Sequence, residues 1–366
     1  MKLFFATLLA IISLHVYSQP YILSDQKAVG EIEQQLNMIY NFQFDQFDSY
    51  YQEISLKYPE HPLPDLFYSI KIYWQHFPVT TQSDYHQMYV DLISQAINKA
   101  DALLEKDKNN IEASFISLMS RLLLMQYYAD NHQSSEVRPY VRKAYQLTKK
   151  GFDLTDEFTD FNFSTGLYNY YREAYPEKHP AYKPIAFFFP SGDRELGFKQ
   201  LEYTWKHGIF LDAESLSFLV FISLNFEGNY HKSARYTREL HHEYPDNPLY
   251  LSYRIRTLLL LERYNRAEQL VEKLEKNQFY NDFFRMMANI YKGILEEKKH
   301  KNYSKAEQHY LSAIRLSEKY LPFANGRISY AYFGLSRIWK NKDPDKSSDY
   351  RKKALDLSSY KHLTFD

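Results

Sequence analysis

The stretch GNYHKSARYTRELHHEYPDNP, Gly228 to Pro248, decides the fold. Ser233, Thr237 and Leu240 stand four and three apart, so they share one face of a helix. Pro245 cannot continue that helix, because proline lacks the amide hydrogen and clashes with the preceding turn. Two later stretches repeat the layout: ERYNRAE at 262–268 and KNYSKAE at 301–307. Each has a Tyr (Tyr230, Tyr264, Tyr303) three residues before a small residue (Ser233, Ala267, Ala306). The small residues are 34 and 39 positions apart.

The same template extends in both directions. Ala267/Val271/Leu274, Ala306/Tyr310/Ala313 and Ser347/Arg351/Ala354 follow it downstream. Gly197/Leu201/Thr204, Ala144/Thr148/Gly151 and Ala96/Ala100/Leu103 follow it upstream. Phe47/Tyr51/Ile54 places a large residue at the small position, yet Pro59 falls 12 residues later, as Pro245 does after Ser233. Intervals are 49, 48 and 53 residues before Gly197, and 34 to 41 from Ser233 onward. The first half therefore has longer helices or inserted loops. Polar breaks such as YPEHPLP, KDKNN and YPDNP separate the periodic segments, and period-two alternation is scarce.

A small residue followed at plus four and plus seven, after Gly-Asn-Tyr, resembles the second helix of a tetratricopeptide repeat (TPR). The resemblance implies two antiparallel helices per unit of about 34 residues. The small residue has a physical reason: a large side chain where the two helices cross would push their backbones apart. The expected fold is all-α, a right-handed α-solenoid of about eight antiparallel helix pairs. Stacked pairs form one continuous structure, so residues 19–366 read as a single solenoid.

Within it, IAFFFPSGDRELGFKQLEYTW, Ile185 to Trp205, interrupts the pattern. An insertion is expected at about 176–192. Pro190, Ser191 and Gly192 break the chain. Ser191 or Gly192 would cap the next helix and leave Asp193 and Glu195 in its first turn, where carboxylates favour the free N–H groups. That accounts for both acids without catalysis. Arg194 occupies the place of the repeat Tyr, so it is expected to have a specific partner. The aromatic helix FNFSTGLYNYY at 161–171 followed by GDRELG at 192–197 is similar to a subgroup of TPR proteins. That subgroup includes exported bacterial proteins and a eukaryotic family of the mitochondrial outer membrane. Gly192, Asp193, Arg194, Glu195 and Gly197 carry the similarity, which covers about 160–245 and implies an adaptor without a reaction.

Composition narrows function. Lys and Arg total 45 and so do Asp and Glu, and no basic run occurs, which argues against nucleic acid. Cysteine is absent, which excludes disulfides, thiolate metal sites and Cys nucleophiles. The 13 His residues make no ligand pattern: His241 and His242 adjoin Glu243, but no HExxH motif supports them. No GxxxxGK[ST], GxGxxG or GxSxG motif occurs. No catalytic residue, cofactor or metal is expected. Lys2, the apolar run LFFATLLAIISL from Leu3 to Leu14, and small residues at Val16 and Ser18 read as a cleavable signal over 1–18. Gln19 would begin the mature chain, in a periplasm or secreted. No Cys follows the run, so it is not a lipoprotein signal, and no later segment reads as a membrane span.

The expected activity is that of a non-enzymatic exported scaffold binding a protein or peptide partner, with peripheral association to the envelope. The alternative is a carbohydrate-binding helical protein that stacks sugars on its aromatics. Tyr and Phe number 35 and 26. Tyr170 and Tyr171 are neighbours and cannot both face one core, so one is expected to face the groove lined by the first helices. Tyr170, Tyr171, Arg172 and Arg194 are the expected partner site, because Tyr and Arg dominate binding energy at interfaces. Phe187 to Phe189 would either plug the groove or contact a partner.

Overall fold

The computed structural model describes residues 21–366. The signal reading at 1–18 lies outside them. The described residues form an all-α solenoid of eight helix pairs. The first pair is α1 (Gln26–Tyr40) and α2 (Phe47–Lys57); the second is α3 (Leu63–Gln75) and α4 (His86–Lys106). Next come α5 (Ile111–Asp130) with α6 (Ser134–Gly151), then α7 (Phe161–Lys178) with, after the short α8 (Lys183–Ala186), α9 (Arg194–His207). The second half pairs α10 (Asp212–Asn225) with α11 (Tyr230–Glu243) and α12 (Pro248–Leu260) with α13 (Tyr264–Glu275). It ends with α14 (Asp282–Lys298) on α15 (Tyr303–Ser317) and α16 (Asn325–Trp339) on α17 (Pro344–Leu357). Second helices also pack on the following first helix, and the first helices α10, α12, α14 and α16 touch in series.

The repeat register holds. Tyr230, Tyr264 and Tyr303 each open a second helix, and so does Arg194. Ser233, Ala267 and Ala306 are all fully buried. Asn side chains start several of these helices: Asn229 and Asn302 accept the amides of Lys232 and Lys305 at 2.9 and 3.1 Å. At α9 the cap differs from the sequence expectation. Asp193 itself is the N-cap, its Oδ1 accepting the Leu196 amide at 2.9 Å. Its φ of −134° is the extended backbone an N-cap residue adopts, and from there its short carboxylate reaches the third amide of the helix.

Tyr310 shows how a misfit is absorbed. It stands where the three preceding units have Leu201, Thr237 and Val271, and its fully buried ring needs room. Gly293 on α14 and Gly334 on α16 supply it: a Cβ at either would sit 2.3–2.4 Å from the ring. Its hydroxyl donates to Glu297 at 2.8 Å, and Arg337 forks onto the same carboxylate at 2.6 and 2.9 Å. Burial first, then the Glu297 charge, push the Tyr310 pKa far up, so it remains a donor.

The first half of the chain packs into the second. Trp74 meets Tyr250 edge-on at 5.4 Å, Phe77 meets Phe283 at 5.4 Å, and Phe42 meets Phe279 at 4.8 Å. Two Asn residues repeat one device. Asn247 and Asn281 cap α12 and α14 through Oδ1, while their Nδ2 groups donate to the carbonyls of Tyr40 at 2.9 Å and Phe77 at 2.8 Å. The helix caps of one half thereby hold the backbone of the other.

Glu214, at the start of α10, lies in this seam. It accepts from the Tyr40 hydroxyl, and its Oε2 is enclosed without a partner among the described residues. Burial above all pushes its carboxyl up to about 8, so at neutral pH it keeps its proton. A folded-state pKa above the ordinary 4.5 means the native chain binds the extra proton between these values. The contribution is whole below 4.5 and is lost as pH rises through 8. The slope is about −1.4 kcal/mol per pH unit inside that window. Melting parent and Glu214→Gln from pH 6 to 9 should therefore show the parent losing ground against the variant up to about pH 8 and levelling off above it. Parallel curves would remove the buried proton.

Candidate functional site

The first helices of the second half carry two occupied stretches. Their N-terminal ends hold the aromatic residues of the first half, as described above. Ser358–Asp366, which follows α17 in non-helical conformation, lies at the C-terminal end of α10 and along α16. The Tyr360 ring stands 5.7 Å from Phe221 of α10 and 5.7 Å from Phe226 just beyond it. His362 Nε2–H donates to the Leu224 carbonyl at 3.2 Å. Leu363 is fully buried, and Phe365 packs edge-on against Tyr330 of α16 at 5.1 Å. Arg337, already bound to Glu297, donates to the Thr364 carbonyl at 2.5 Å and pairs with Asp366 at 3.2 Å. A non-helical segment with a turn at Lys361–His362 thus lies on the face formed by the first helices, the inner face, through two aromatic side chains, one buried Leu and one guanidinium.

The four residues expected at a partner site fall in different places. Tyr170 is a core residue: it is fully buried, its hydroxyl donates to Glu227, and Phe198 and Phe226 flank it. It therefore offers no surface to a partner, which corrects the sequence expectation. Its neighbour Tyr171 is the one that turns toward the inner face. Its ring packs on Phe226 at 5.1 Å, the ring that also meets Tyr360. Burial, then proximity to Tyr360 and Tyr170, raise its pKa well above the ordinary value, and its hydroxyl has no partner among the described residues.

Both arginines are occupied within the fold. Arg194 reaches Glu227 at 2.7 and 3.1 Å and Glu177 at 3.0 Å, and lies over the Tyr170 ring at 5.5 Å. It joins the start of α9 to the end of α7 and to the turn after α10. A Tyr there could not bridge two carboxylates, which accounts for the exchange. Arg172 holds the insertion, donating to the Phe189 carbonyl at 3.1 and 3.3 Å. Tyr168 adds a bond to the Pro190 carbonyl at 2.8 Å, and Glu173 accepts the Gly192 amide at 2.9 Å.

α7 runs through Pro176 to Lys178, and the short α8 stands between it and α9. The phenylalanines of the insertion do not plug the groove. Phe189 packs on Tyr145 at 5.1 Å, whereas Phe187 and Phe188 are each 83% exposed. Among the described residues no group of His, Asp and Glu could hold a metal ion, and no helix is long and apolar enough to cross a membrane.

Sequence reasoning missed the residues that hold the inner segment. Arg337 follows an apolar run on α16 and reads as a surface cation. Only its closeness to Glu297, 40 positions away, gives it a structural role. Tyr360 and Phe365 lie beyond the last repeat, where no periodicity marks them.

No family model matches the chain, and no curated protein matches it. Among solved structures it is similar to a chain described as "Human IFIT1 dimer with PPP-AAAA". The identity is 14%, the match covers 92% of this chain and 87% of that one, and the TM-score is 0.35. Identity and score at that level carry nothing about ligands.

Proposed function

We propose that this chain is a non-enzymatic TPR-type scaffold, exported by the signal at 1–18, whose inner face binds an extended segment of a protein partner. The observation that carries the reading is the seating of Ser358–Asp366 at the end of α10 and along α16. A surface built from apolar rings, a buried Leu site and an arginine that meets carbonyl and carboxylate oxygens suits a peptide with aromatic and acidic residues. The small-residue register from Ala96 to Ser347 supports the TPR assignment. The balanced charge and the lack of nucleotide or hydrolase motifs support binding over catalysis.

In the intact chain, the segment competes in cis at an effective concentration in the millimolar range. The test removes it. A chain ending at Leu357 should bind a labelled peptide of residues 358–366 with a saturable rise in anisotropy, and the intact chain should bind it far more weakly. Tyr360→Ala in the peptide should weaken binding about 30-fold, the equivalent of a 2 kcal/mol anchor. A folded, shortened chain that ignores the peptide would sink this reading of the inner face. Intact mass after secretion checks the export part: a mass starting at Gln19 is expected, and retention of Met1 would count against it.

A further inference from the structure

On the side of the second half away from the inner face, three arginines stand around a single carboxylate. A cleft of about 550 Å³ opens between α11, α12 and α13, lined by Arg238, Glu239, His241, Arg254 and Arg266. Glu239 is held by Arg238 at 2.6 Å. Arg254 comes from α12 and is 9% exposed, and its Nε is buried with no partner among the described residues. Two positions on, Arg256 turns to the opposite side, where its Nη1 donates to the Tyr330 hydroxyl at 3.4 Å while its own Nε also has no partner among the described residues. Arg254 is therefore directed away from the inner face and into the outer cleft. Burial, followed by the charges of Arg266 and Arg238 and opposed in part by Glu239, lowers its pKa from the ordinary arginine value. A buried guanidinium set among like charges is costly unless something pairs with it.

His241 supplies a second unpaired group, and its tautomer follows from its neighbour. Its Nε2 lies 3.4 Å from Lys273 Nζ. An ammonium has no lone pair, so Nε2 accepts and the ring proton sits on Nδ1. Burial above all, with Lys273 and Arg254 next, pushes the ring pKa down to about 4, so it is neutral near pH 7. The Nδ1–H is buried and unpartnered among the described residues. Both unsatisfied groups in the cleft wall are thus donors. The cleft asks for an acceptor that is also an anion.

We propose that this cleft binds a phosphate-class oxyanion, with Arg254 at its base, His241 Nδ1–H beside it and Arg266 and Arg238 at its mouth. Charge-assisted bonds to a tetrahedral oxyanion would satisfy the buried donors, and arginine is well matched to such oxygens. A volume of about 550 Å³ also leaves room for a small organic group on the anion.

The experiment is titration calorimetry of the purified chain with inorganic phosphate and, separately, glycerol 3-phosphate, with chloride holding ionic strength constant. Both should bind the parent. Arg254→Met should abolish both isotherms, and Arg266→Ala, an exposed change that leaves the core intact, should weaken them about tenfold. An ester that binds more than tenfold tighter than phosphate assigns a phosphorylated small molecule; equal affinities assign the free anion. In chloride alone, Arg254→Met should melt at or above the parent, because it removes an unneutralised buried charge. The proposal is overturned by the absence of heat with either ligand, or by isotherms unchanged in both variants. It is also overturned if Arg254→Met melts far below the parent in chloride, since the guanidinium would then already have its partner within the fold.

Discussion

Replacing Asp160 by Ala is expected to destabilise the chain by about 3–5 kcal/mol, the range for removing one side of a buried charged network. Asp160 precedes α7 and is fully buried. Its Oδ2 accepts the Ile209 amide at 2.9 Å, and its Oδ1 accepts those of Phe210 and Leu211, each at 2.9 Å. These amides belong to the turn between α9 and α10. Burial pushes the carboxyl up to about 6 against the pull of the three N–H groups, so it is ionised above that value. Alanine would leave three buried donors unpaired, and hydrogen bonds to a charged acceptor are each worth about 1.5–3 kcal/mol. Asp160→Asn keeps one acceptor oxygen and should fall between parent and Ala. Denaturant midpoints of the three chains decide it. A loss below about 1 kcal/mol for Ala would mean that water replaces the carboxylate and that the turn is open.

Gly197→Ala is expected to cost about 3 kcal/mol, and Gly197→Leu more. The usual overpacking range is about 1–3 kcal/mol, and it assumes that side chains can move aside. Here they cannot. A Cβ at Gly197 would lie 2.6 Å from the Gly166 carbonyl and 2.6 Å from the Tyr170 amide, both backbone atoms of α7. Relief requires α7 and α9 to separate. Alanine is the sharper test because in an open helix it gains up to about 1 kcal/mol over glycine. Gly30 on α1 has nothing within 4 Å of its Cβ position and serves as the control that should gain. Equal melting shifts at Gly197 and Gly30 would mean the α7–α9 crossing is looser than described.

What was legible in the sequence is what is encoded locally. Ser233, Ala267 and Ala306 reveal the crossings because size at one position, spaced by helical turns, is a property of a single segment. Arg194 could be marked as unusual by comparison with Tyr230, Tyr264 and Tyr303. Its carboxylates could not be named, since Glu177 and Glu227 are close only after α7, α9 and α10 have stacked. Tyr170 and Tyr171 are chemically identical neighbours, and only the packing of α10 sends one to the core and the other to the inner face. Arg254 lies within PLYLSYRIRTLLLL, Pro248 to Leu261, where a cation in an apolar run was the available signal. That run also holds Arg256, and helix geometry alone does not say which of the two opens onto the cleft.

The seam between the two halves also governs how the chain can reach its structure. An open solenoid folds by growth, each unit adding to the one before it, and its stability is a sum over neighbours. Here Asn247 meets Tyr40 and Asn281 meets Phe77 across 207 and 204 residues. Such contacts form only after a large loop has closed, and chains that depend on them fold more slowly than those built from local contacts. Growth from either end would leave Trp74, Phe77, Tyr250 and Phe283 facing water until the opposite half arrives. The two halves therefore make one cooperative unit, and a chain cut between them would present its aromatic seam to other chains in place of its own second half.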